Sequence, residues 1–136
     1  TLCGRNFVGK SRLNGHGCPK AAACGLESAF NDMMGIGSRQ LPDVDCLIDT
    51  GHMYLSGWDF HHVLSSLNSR IKAYHINDNF GVDDPHLPVG KGNIDWGSFF
   101  DDYKKYTPDA ELCLENKGVT VPELVSSANL IRALLR

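Results

Sequence analysis

The chain has 136 residues, 42% of them hydrophobic, which suits one domain with its own core. Its net charge is −3, so no basic field advertises nucleic-acid binding, although a local patch is compatible with that balance. No apolar run approaches a membrane span, and the first residues lack the charged-then-apolar pattern of a signal peptide, so a cytoplasmic protein is expected.

The five cysteines are an odd number and include no Cys-x-x-Cys pair. Cys46 and Cys113 lie in apolar, strand-like runs, where buried free thiols are common. A reduced protein without a disulfide framework is expected. His16, Cys18 and Cys24 have a spacing that fits no familiar zinc finger.

Residues 1–19 are poorly patterned and broken by glycines. The spacing of Ala22, Leu26, Phe30 and Met33 predicts a helix from Lys20 to about Met34, with Gly35 as its stop. Val44–Asp49 reads as a short strand. Asp59 is a suitable N-cap for a helix to Asn68, whose Phe60, Val63, Leu64 and Leu67 share one face. Ile71–Ile76 is a second strand. Residues 77–94 form a loop whose length points to function. Asp95 caps a third helix over about 96–106, and Ala110–Glu115 is a third strand. Thr120-Val-Pro-Glu123 is a capping box that opens a last helix, with Leu124, Ala128, Ile131 and Leu135 on its apolar face. Strands alternating with helices predict an α/β fold with a parallel sheet.

Side chains alternate along a strand, so Asp49 shares a face with Leu47, His75 with Ile71 and Ala73, and Glu115 with Cys113. Three successive parallel strands thus carry Asp49, His75 and Glu115 at their C-terminal ends, where α/β barrels and open parallel sheets keep their active sites. Two carboxylates and an imidazole suit a divalent metal such as Mn, Co, Mg or Zn.

Four strings occur in order: Asp49-Thr-Gly-His52, His75-Ile-Asn-Asp-Asn79, Asp84-Pro-His-Leu-Pro-Val-Gly-Lys-Gly92 and Leu114-Glu-Asn116. Together they resemble the xylose-isomerase-like superfamily of sugar and sugar-phosphate isomerases and epimerases, inosose dehydratases and endonuclease IV. The likeness covers about residues 40–136. It implies a (β/α)8 TIM barrel of which this chain holds the C-terminal portion, about three β/α units, with 1–40 a poorly patterned segment plus one helix and 41–136 the barrel part. It implies Asp49, His75 and Glu115 as metal ligands, with Asp84 as a further candidate. Glu115 would also be the catalytic acid/base, and His52, His86 and Lys117 would contact a sugar or sugar-phosphate substrate.

A closed barrel of this kind takes about 200 residues or more. The chain is therefore expected to be a fragment or part of an assembly, joined to a missing barrel half or to another copy. The family's fourth ligand, a glutamate from the preceding strand, is not evident; with Leu2-Cys-Gly-Arg-Asn6 read as the end of that strand, Arg5 stands where the glutamate is expected. Two other readings compete with a sugar isomerase or epimerase. One is abasic-site phosphodiester cleavage as in endonuclease IV, using Asp49, His52, His75, Asp84, His86 and Glu115. The other is a non-catalytic remnant. Gly4-Arg-Asn-Phe-Val-Gly-Lys-Ser11 also fits a phosphate-loop pattern, but only three residues precede it, too few for the supporting strand.

Overall fold

A computed structural model of the chain describes residues 45–136. The helix expected over 20–34, the phosphate-loop string, the His16, Cys18 and Cys24 set and Arg5 all lie outside the described residues. Strand β1 is Cys46–Asp49, followed by the short helix α1, Thr50–Leu55, and by α2, Phe60–Leu67. Strand β2 is Ile71–Ile76. Helix α3, Trp96–Tyr106, leads to β3, Glu111–Leu114, and α4, Val121–Leu134, closes the order.

The strands pair in parallel in the order β1-β2-β3. Asp49 is in register with His75, and His75 with Cys113. This is an α/β fold whose three β/α units match part of a TIM barrel.

The two faces of the sheet differ because the residues alternate. Ile48, Tyr74 and Ile76 are buried on one side, in a core that also holds Leu64, Phe99, Phe100 and Tyr103. Aromatic rings bind this core edge to face: Phe99 lies 5.4 Å from Tyr74, 5.5 Å from Phe60 and 5.0 Å from Phe100. The Tyr74 hydroxyl meets the Thr107 hydroxyl at 2.8 Å, and burial pushes its pKa well above the ordinary range. On the other face Leu47, Ala73 and His75 are half-buried and Cys113 is exposed.

Exposure of Cys113 corrects the expectation of a buried thiol there. The apolar run around it belongs to its neighbours Leu112 and Leu114, which point the other way. The last helix also differs from its expected pattern. Ile131 is buried, but Leu124, Ala128 and Leu135 are only half-buried, while Ser127 is almost fully enclosed because its hydroxyl accepts the Val89 N–H. His61 joins α2 to α3 through Asp102 at 2.8 Å and lies edge-on to Tyr106.

Caps set the helix starts. Asp49, Asp59 and Asp95 accept the N–H three residues on, at 3.0, 3.1 and 3.1 Å. The Glu123 carboxylate reaches back to the Thr120 N–H at 2.7 Å.

Phe99 is central to the aromatic core, so Phe99→Ala is expected to lower stability by about 3–5 kcal/mol. Urea unfolding followed by tyrosine and tryptophan fluorescence reads this as a large fall in midpoint; an unchanged midpoint would place the core elsewhere.

Candidate functional site

Three strand ends deliver Asp49, His75 and Glu115 to one place. Asp49 closes β1, His75 is opposite it in β2, and Glu115 follows β3, with its N–H bonded to the Ile76 carbonyl at 3.1 Å. One donor atom from each side chain lies within 4.8 Å of the others. His75 Nδ1 is 2.6 Å from Glu115 Oε2. The three side chains thus form a candidate metal-holding group in which two carboxylates flank one imidazole. Carboxylate oxygens and an imidazole nitrogen suit a divalent metal, whose donors cluster within that spread after small adjustments.

A second set, His52, Asp84 and His86, also brings one donor atom each to within 4.8 Å. Asp84 Oδ2 is its hub, 3.2 Å from His52 Nε2, 3.0 Å from His86 Nε2 and 4.0 Å from Lys117 Nζ. Its other oxygen is buried without a hydrogen-bond partner. Burial pushes the Asp84 pKa up, but hydrogen bonds and charges from His52 and His86 outweigh this and hold it below the ordinary value. The same hydrogen bond to Asp84 is the main reason the His52 pKa is raised.

His52 bridges the two sets, with Nδ1 3.7 Å from Asp49 Oδ2. It projects from the first turn of α1 and remains about half-exposed. His86 is buried and lies in the left-handed region at φ 51°. Its Nδ1 donates to the Glu115 carbonyl at 2.9 Å, and its Nε2 lies 3.0 Å from Asp84 Oδ2. The His86 carbonyl in turn accepts the Lys117 N–H at 3.2 Å. Lys117 itself is exposed.

The loop over 77–94 is folded around Asp78, whose carboxylate is fully buried. It accepts N–H groups from Asn79 at 2.9 Å, Gly90 at 3.0 Å and Ile94 at 3.2 Å, and from the Trp96 indole at 2.8 Å. Asp78 and Leu87 also exchange two backbone hydrogen bonds of 2.9 Å. Asp78 thus orders the loop that carries Asp84 and His86. Gly92 permits this closure, since a Cβ there would lie 2.3 Å from the Asn79 carbonyl.

Thr50, Asn77 and Asn79, polar residues with no role evident in the sequence, are fully buried beside the site. The Thr50 hydroxyl accepts the Asn77 N–H at 3.1 Å, and Asn79 donates to the Gly51 carbonyl at 2.9 Å. One signal was available for Asn77: it keeps the alternating phase of His75 beyond the end of the strand.

Comparison with known proteins agrees with this architecture. The model of the xylose isomerase-like TIM barrel family matches residues 30–134. The chain belongs to that family. It is 29% identical to the uncharacterized protein MJ1311 of Methanocaldococcus jannaschii, a match covering 82% of this chain and 42% of that protein. An inosose dehydratase of Salmonella agona is 34% identical over a match covering 57% of this chain and 36% of the enzyme. The chain thus spans about two fifths or less of these relatives. A crystal structure of a D-tagatose 3-epimerase-like protein shares the fold, with a TM-score of 0.59, 19% identity and coverage of 99% of this chain and 58% of that one. Among the described residues no helix is long and apolar enough to cross a membrane.

The His52 to Asp84 contact has a direct readout. In metal-free protein His52 is expected to titrate above its ordinary 6.5, since loss of its proton also loses the bond to Asp84. Asp84→Asn removes the charge and should bring the midpoint down. Histidine ring signals in NMR, followed against pH, check this; the same midpoint in both proteins would discount the contact.

Proposed function

We propose that the protein is a metal-dependent isomerase or epimerase of a sugar or sugar phosphate. The observation that carries the reading is the convergence of Asp49, His75 and Glu115 at the C-terminal ends of three adjacent parallel strands. Asp49, His75 and Glu115 would hold the cation, with Asp84 as a further carboxylate nearby. A divalent ion bound there supplies Lewis acidity toward a carbonyl or hydroxyl oxygen of the substrate.

Glu115 is the acid/base in this reading. Its carboxylate takes a proton from the carbon beside the substrate carbonyl, and the electron pair left behind moves toward the carbonyl oxygen. Return of a proton to the neighbouring carbon, with the adjoining hydroxyl giving its proton to the former carbonyl oxygen, gives an isomer, and delivery of a proton to the opposite face of the same carbon by a second acid group gives an epimer. Loss of a hydroxyl instead gives dehydration, so the inosose dehydratase likeness is compatible with the same first step. His52 and Lys117 are exposed enough to reach substrate oxygens. His86 is buried and acts through Asp84.

The second donor set, His52, Asp84 and His86, favours a rival reading, a multi-metal phosphodiesterase of the endonuclease IV kind. Metal stoichiometry separates the two: one ion per chain favours the isomerase and three favour the nuclease.

The test is hydrogen exchange. With Mn(II) and a panel of ketoses and their phosphates in deuterated water, the protein should place deuterium beside the carbonyl. Chelation should stop this, and Glu115→Gln should slow it at least about 100-fold. Exchange that survives Glu115→Gln would remove Glu115 as the base.

A further inference from the structure

We infer that Asn77 is the positioning residue for Asp49, occupying one carboxylate oxygen so that the other alone meets a cation. This rests on the reading of Asp49 as a metal ligand. The Asn77 side chain is fully buried. Its Nδ2 donates to Asp49 Oδ1 at 3.1 Å, and the same oxygen accepts the His52 N–H at 3.0 Å. Two donors on Oδ1 leave Oδ2 as the oxygen that faces the site, 3.7 Å from His52 Nδ1.

A second observation fixes which way the amide points. Asn77 Oδ1 is buried and has no hydrogen-bond partner. It lies over Gly51, where a Cβ would come within 1.9 Å of it. Turning the amide over would set its oxygen against the Asp49 carboxylate and aim two N–H groups at a glycine methylene. The Asp49 charge therefore holds the amide donor-side forward, and an unpaired acceptor is left behind. Buried polar atoms without partners are rare, and here the geometry ties the exception to orienting a candidate ligand.

The backbone of Asn77 is held separately. Its N–H and carbonyl both engage the Thr50 hydroxyl, at 3.1 and 2.9 Å. A change of the Asn77 side chain therefore leaves the strand end anchored, while Asp49 gains freedom to turn or to bind through both oxygens.

Co(II) binding to the full chain tests this, read by calorimetry and by the visible absorption of the bound ion. Asp49→Ala reports the parent reading and should abolish binding at the site. Asn77→Ala should bind about 10- to 100-fold more weakly than the unaltered chain and with an altered spectrum, because the Asp49 donor geometry changes. Gly51→Ala, whose Cβ would come within 1.9 Å of Asn77 Oδ1 and so displaces the amide while Asp49 itself is unaltered, should shift affinity and spectrum in the same direction. Urea midpoints of the metal-free variants serve as the folding control; if Asn77→Ala does not fold, Gly51→Ala decides. Unaltered affinity and spectrum in these variants, with binding lost in Asp49→Ala, would overturn the role of Asn77 and leave the metal reading standing. Failure of the unaltered chain to bind Co(II) would overturn both.

Discussion

The parallel register of three strands brings Asp49, His75 and Glu115 together at their C-terminal ends, and the rest of the site is built around that convergence. Asp49 cannot retreat, because it also caps α1 and accepts the Asn77 amide. Glu115 is fixed from both sides, by its N–H on Ile76 and its carbonyl on His86. His75 stands between them in register with Asp49. The convergence lies at the end of the strands where TIM barrels keep their active sites, and the chain belongs to a TIM-barrel family.

The second histidine set depends on the loop over 77–94, and that loop depends on Asp78. A buried carboxylate is costly unless it is hydrogen-bonded, and Asp78 collects four N–H donors. Three come from loop backbone and one from Trp96, the first residue of α3. The loop is thereby tied to the aromatic core, since Trp96 stacks edge-on with Phe99. A strained His86 persists because its ring and backbone are held by Asp84, Glu115, Asn116 and Lys117.

Much of this was legible in the sequence. Alternation alone placed Asp49, His75 and Glu115 on one face, because a strand allows only two directions. The aspartate caps before Phe60 and Trp96 marked helix starts within a residue. What escaped has physical reasons. Helix α1 is only 6 residues long with a glycine second, too short for any period to declare itself. Burial of Cys113 was expected from its neighbours' hydropathy, whereas its face was set by phase. The Thr50, Asn77 and Gly51 contacts join residues 26 or 27 apart in sequence, and no local pattern records which polar atoms will meet across strands.

Anomalous diffraction from crystals of the protein grown with Mn(II) addresses the central claim most directly. The account predicts a peak bonded to Asp49 Oδ2, His75 and Glu115 at about 2.0–2.3 Å. Full manganese loading with no peak among those three side chains would contradict it.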